Sequence, residues 1–147
     1  MVYVVDTNVL LRFADRRHPM HLVAHTAVQT LRHQGHRLQI TPQNGVEFWN
    51  VATRPAGRNG FGFTPTEADR LLHLIERLFP LLPDTSAIYP EWRRLVVQFG
   101  VSGVQVHDAR LAAAMRVHAV SHLLTFNGVD FTRYLGEGIV VVDPSGV

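Results

Sequence analysis

The chain contains no cysteine and no lysine: all fourteen of its basic residues are arginine. Without thiols there can be no disulfide, no thiolate zinc site, no iron–sulfur cluster and no cysteine nucleophile. Without lysine there is no side-chain ammonium to hold an anion, whereas the arginines offer planar, permanently charged forks suited to phosphate. Long apolar runs are missing too, so no segment reads as a membrane span. The opening MVYVVDTNVL has no basic lead and carries an acid where a secretory signal would be apolar. Glycine- or serine-rich linkers, repeats and low-complexity tracts are absent. These absences leave the expectation of a soluble cytoplasmic protein folded as one domain over residues 1–147, a length that can bury its own core without staples.

What is present has a regular rhythm. Val2 to Val5 is a β-branched and aromatic run ending at Asp6, and reads as a buried strand. Helical spacing follows from Thr7 to Asp15. Pro19 stands where a proline would open a helix running to about Gln34, which Gly35 closes. Arg37 to Thr41 reads as a short strand, and the helix after Pro42 carries Glu47, Phe48 and Trp49. Arg54 to Phe63 is a loop rich in glycine, and Thr64-Pro65-Thr66-Glu67 is a helix start with both halves of a capping box. A helix to about Phe79, a short strand at Leu81–Leu82 and a helix over Ser86 to Phe99 follow. Val106 to Val117 reads as a further helix, with strands at His122 to Phe126 and Gly138 to Val142. Short apolar strands alternating with helices predict an α/β fold, a three-layer α/β/α sandwich on a mostly parallel sheet.

In such a sheet, ligands sit beyond the carboxyl ends of the strands. Four acids fall there: Asp6 after the first strand, Glu47 early in the helix after the second, Asp108 opening a helix, and Asp130 after the Asn127-Gly128 turn. Singly, each has an ordinary explanation: Asp6 as a helix cap, Asp108 as a first-turn acid, Asp130 in a solvated turn. Together they make a carboxylate pocket geometrically cheap. Clustered carboxylates raise one another's pKa, and a divalent cation offsets the repulsion. Oxygen-only donors select magnesium or manganese, and the chemistry that suits them is phosphodiester hydrolysis.

The stretches VYVVDTNVLL, TPQNGVEFWNVATRP, VHDARLAAAM and LLTFNGVDF, in that order across residues 2 to 131, resemble the PIN-domain family, and within it the VapC-type toxin ribonucleases. The resemblance implies a metal-dependent endoribonuclease that leaves 5′-phosphate and 3′-hydroxyl ends, with Asp6, Glu47, Asp108 and Asp130 as catalytic, metal-holding acids. It implies supporting roles for Thr7, Thr125 and Asn127, which would orient carboxylates and water. It further implies a homodimer and a small antitoxin partner.

Taking those four acids out of the twelve leaves eight against fourteen arginines, a basic surface of the kind an RNA substrate favours. Arg12, Arg54, Arg58 and Arg110 are the candidates for backbone contact. His18, His21 and His25 share helical spacing, so a zinc site there is conceivable but less expected than plain surface residues. Phe61 and Phe63 are expected to pack rather than stack on bases. Two competing readings remain at this level. One is a phosphatase of the haloacid dehalogenase type, which wants an acid where Asn8 stands and a lysine that the chain lacks. The other is a non-catalytic RNA-binding or regulatory module.

Overall fold

A computed structural model describes all residues 1–147. Four strands form one sheet, all parallel: β1 (Val2–Val5), β2 (Arg37–Gln39), β3 (His122–Leu124) and β4 (Val140–Val142), in the spatial order β2-β1-β3-β4. Six α-helices surround it: α1 (Thr7–Ala14), α2 (His21–His33), α3 (Pro42–Thr53), α4 (Pro65–Leu78), α5 (Ile88–Gln98) and α6 (Val106–Val117). A long 3₁₀ segment, Gly128–Glu137, joins β3 to β4.

The strands alternate between two cores because successive side chains point to opposite faces of a sheet. Tyr3 and Val5 of β1 and Leu124 of β3 enter one cluster with Leu10, Val28, Phe48, Ile75 and Phe79 from α1 to α4 and the α4 cap. Val4 and Leu123 enter the other, with Leu95, Leu111, Met115, Phe131 and Tyr134 from α5, α6 and the 3₁₀ segment. The sheet is thus covered on both faces, and the three-layer α/β/α expectation holds. That double burial is why β1 reads as an unbroken apolar run.

Several boundaries differ from the sequence reading, each for a local reason. α2 begins at His21, not Pro19, because the His18 ring Nδ1 accepts from the Met20 N–H at 3.0 Å and turns the chain ahead of the helix. Thr41 is not strand: it caps α3, its Oγ1 accepting from the Asn44 N–H. The Leu81–Leu82 strand reduces to a single parallel bridge, Ile40 to Leu81, hemmed in by Pro80 and Pro83. Thr125 and Phe126 lie beyond β3, and β4 starts at Val140 after Gly138 turns with φ +84°. α5 starts at Ile88, after a turn in which the Ile88 N–H bonds Thr85 O. The Thr64–Glu67 capping box and the extent of α6 are as expected.

The glycine-rich loop folds back on α3 through Phe61 N–H to Val51 O and Phe63 N–H to Ala52 O, and both rings pack on the first core. Gly60 sits so close beneath Arg54 that a Cβ would lie 2.0 Å from its carbonyl oxygen. Backbone cannot yield as a side chain does. Gly60→Ala is therefore expected to destabilise by about 1–3 kcal/mol in a thermal melt, and an unchanged melting temperature would contradict this packing.

Candidate active site

The pairing of Val5 with Leu124 places the residues that follow, Asp6 and Thr125, side by side at the carboxyl edge of the sheet. Asp6 is 8% exposed. Its Oδ1 accepts from the Thr7 N–H at 2.8 Å, so it does cap α1. The other oxygen accepts from Thr125 Oγ1 at 2.8 Å and from Asn8 Nδ2 at 3.2 Å. Thr125 Oγ1 in turn accepts from Asn8 Nδ2 and from the Asn127 N–H, both at 3.0 Å. Its one proton and both lone pairs are thereby engaged. Asn8 completes the ring by accepting from the Phe126 N–H at 3.0 Å. The position where a dehalogenase-type phosphatase would carry its acid is thus a neutral strut.

A second polar spine runs through α3. Thr41 caps the helix with fully buried Asn44, whose Oδ1 accepts from the Thr41 N–H and Oγ1, both at 2.9 Å. Asn44 Nδ2 donates to Thr7 Oγ1 at 3.1 Å, and Thr7 Oγ1 donates to Glu47 Oε1 at 3.0 Å. Asn44 and Glu47, three residues apart, share one face of α3. The hydroxyl next to Asp6 therefore orients the glutamate 40 residues away. No buried side-chain polar atom lacks a partner.

Asp108, half-buried in the first turn of α6, has its carboxyl pushed up to about 6. Burial contributes most, followed by the charges of Asp6, Asp130 and Glu47, with Arg133 opposing them. Asp6 is likewise raised to about 6, by burial against its hydrogen bonds, with Glu47 adding to the rise. Asp108 thus lies in the field of the other three acids singled out in the sequence. Asp130 is exposed on the 3₁₀ segment, and Asn127 reaches the site through its backbone N–H. No three acidic or histidine side chains stand close enough, as placed, to form a ready-made cage for an ion. The donor set is nonetheless all oxygen, and a divalent cation between its members would offset both the burial of charge that chiefly lifts Asp6 and Asp108 and the like-charge repulsion that adds to it.

The arginines divide differently from expectation. Arg110 is tied to Gln43 Oε1 at 3.2 Å and to Asp84 at 3.3 Å, while Gln43 also donates to the His107 carbonyl. Arg12, Arg54 and Arg58 form no ion pair. The arginine whose charge registers at Asp108 is Arg133, which the sequence reading passed over. Its only signal was a place three residues after Asp130. The histidines do not gather as a zinc site: His21 Nδ1 donates to the Arg12 carbonyl at 3.0 Å, His25 stacks on Phe13, and no metal-holding group forms. A cleft of about 540 Å³ between Tyr89, Arg93 and Val97 on α5 contains none of the four acids.

A parallel α/β/α sandwich with acids gathered at its carboxyl edge defines a class of fold and site. Residues 3–134 match the PIN domain family, and the chain belongs to it. A search of curated proteins finds no significant relative. Among solved structures, the chain resembles VapBC2 from Rickettsia felis, described bound to a DNA fragment from its promoter (14% identity, TM-score 0.68, covering 97% of this chain and 98% of that one). It also resembles VapBC-1 from nontypeable Haemophilus influenzae (18%, 0.69, 99% of each). A third is Mycobacterium tuberculosis VapC20, described as a toxin cleaving the sarcin–ricin loop (16%, 0.66, 94% and 96%). At these identities the likeness is one of fold. No helix is long and apolar enough to cross a membrane.

Proposed function

We propose that this chain is a magnesium- or manganese-dependent endoribonuclease and the toxin of a toxin–antitoxin pair. The observation that carries the reading is the shared field at the sheet edge, where Asp6, Glu47 and Asp130 all raise the pKa of Asp108. Membership of the PIN family and likeness to toxin–antitoxin structures support it. Asp6, Glu47 and Asp108 would hold the ion, directly or through water, and Asp130 would complete the site. The bound ion supplies Lewis acidity toward a phosphoryl oxygen. The chain's own groups do the rest: Thr125 and Asn8 orient Asp6, Thr7 and Asn44 orient Glu47, and an Asp130 oxygen accepts the proton of the attacking water. Attack at phosphorus breaks the bond to the 3′ oxygen, which takes a proton from solvent water, leaving 5′-phosphate and 3′-hydroxyl ends; Asp130 returns the proton that it accepted to solvent. Arg12, Arg54 and Arg58, which form no ion pair, contact the RNA backbone around the pocket, whereas Arg110 is engaged by Gln43 and Asp84. A small antitoxin covers the site in the cytoplasm. The protein is a homodimer, for which exposed Tyr89 and Val97 on α5 supply an apolar patch.

The test is cleavage of a structured RNA pool by purified protein with magnesium, manganese or chelator. Discrete cuts are expected only with metal, and Asp6→Asn and Asp108→Asn are each expected to reduce them by at least ~100-fold. Cutting that survives both substitutions would reject the site. RNA binding by a folded, metal-loaded protein that never cuts would favour the binding-module reading instead.

A further inference from the structure

Two pairs of side chains meet where α6 and the 3₁₀ segment adjoin the acidic edge. Gln105 and Asp108 lie three residues apart at the start of α6. Asp130 and Arg133 lie three residues apart on Gly128–Glu137, and side chains at that spacing eclipse one another in a 3₁₀ helix. Asp130 and Arg133 therefore point from one face. Across the gap, Arg133 Nη2 donates to Gln105 Oε1 at 2.7 Å. The bond holds the guanidinium at the start of α6, where its charge reaches Asp108, without neutralising it, because glutamine carries no charge.

Arg32 is held on the Leu78 carbonyl and over the Phe79 ring, at the end of α4, and the other arginines that the fold immobilises through their side chains are paired with acids. Arg94 and Arg116 are locked to Glu91 and Glu137, and Arg110 pairs with Asp84. Arg133 forms no such ion pair. It is half-buried and braced, with most of its donor fork unspent. A fixed cation at the rim of an anionic pocket is poorly placed for a carboxylate-rich interior but well placed for an anion entering it. Val104 and Val129, next to Gln105 and Asp130, are exposed.

We propose that Arg133, braced by Gln105, is the phosphate anchor of the site: it grips a backbone phosphodiester of the RNA beside the one that is cut. This rests on the ribonuclease reading for the identity of the substrate, while the anchor itself can be measured without turnover. It sets where the strand lies relative to Asp108 and Asp130, and so which bond is presented.

The experiment measures binding of a fluorescein-labelled, mixed-sequence single-stranded RNA oligonucleotide in chelator, across a salt series, for wild type, Arg133→Gln, Arg133→Lys and Gln105→Ala. Thermal melts confirm that each is folded. Arg133→Gln is expected to weaken binding about tenfold and to lower the slope of log affinity against log salt by about 0.7, the loss of one single-strand phosphate contact. Arg133→Lys restores the slope, and Gln105→Ala weakens binding while keeping it. In the metal-loaded cleavage assay, Arg133→Gln raises KM more than it lowers kcat. An Arg133→Gln protein with wild-type affinity and slope, or a lysine variant that fails to restore the slope, overturns the anchor. A wild type that binds RNA through Arg133 but never cuts overturns the ribonuclease reading and leaves the anchor standing.

Discussion

Asp108→Asn is expected to make the metal-free protein more stable at pH 7.5 while abolishing its activity. The folded carboxyl titrates near 6, against 3.8 for the unconstrained group. The folded state therefore holds this proton more tightly than the unfolded state. Its stabilising contribution is fully present below the unfolded pKa and is lost as pH rises through about 6. At pH 7.5 the ionised group works against the fold, chiefly because burial strips its solvation and further because Asp6, Asp130 and Glu47 add like charge. Asparagine removes that charge at nearly constant shape. Allowing for solvent screening of a half-buried group, the gain is on the order of 1–2 kcal/mol, or roughly 2–8 °C in melting temperature. The gain should vanish toward pH 4. Adding magnesium should stabilise the wild type and do much less for the variant. Melts in chelator at the two pH values decide it: a variant no more stable than wild type at pH 7.5 would mean that the acids are not in tension.

Thr125→Val is expected to have the opposite effect on stability and the same effect on activity. The substitution keeps the side chain's outline and removes only its hydroxyl. That oxygen donates to Asp6 and accepts from Asn8 and from the Asn127 N–H. Without it, the buried carboxylate retains one long contact on that oxygen, and two donors lose their acceptor. A loss of about 2–4 kcal/mol is expected, because a buried charged group is left short of partners. Thr125→Ser, which keeps the hydroxyl and gives up a methyl, should lose about 1 kcal/mol. The Thr125 hydrogen bond also holds the Asp6 pKa down, so any residual cleavage by Thr125→Val should shift to higher pH than that of the serine variant. Equal denaturant midpoints for valine and serine would refute the role of the hydroxyl.

The frame and the acids were legible in the sequence because they rest on two strong signals. Apolar runs of strand length mark β1 and β3, and an acid directly after such a run is placed at the sheet edge by chain direction alone. The struts were less legible. Asn8 entered the sequence reading only as the residue a phosphatase would not have, and Asn44 did not enter it. An asparagine has no periodicity to betray it, and its value comes from partners that are distant in sequence: Asn8 bonds Thr125 across 117 residues, and Asn44 bonds Thr7 across 37. Arg133 was missed for the same reason, since its partner Gln105 lies 28 residues away. Hydrophobic pattern reports which face is buried, not where a ladder of hydrogen bonds stops. Hence Thr41 and Thr125, β-branched and next to strands, read as strand when one caps a helix and the other braces a carboxylate.

The hydrogen bond from Thr125 to Asp6 closes a loop of 119 residues, on a central strand whose two neighbours both come from later in the chain. At ribosomal speeds of ~5–20 residues per second, about 6–24 s separate the synthesis of the first acid from that of the hydroxyl that orients it. Throughout that interval the nascent chain has Asp6 but no site. Parallel pairing over such separations is also slow to form once the chain is free. The topology thus acts as a timer: the potential for chemistry appears only once synthesis has passed Thr125. Any binder that must meet this chain before it acts has that interval in which to be ready.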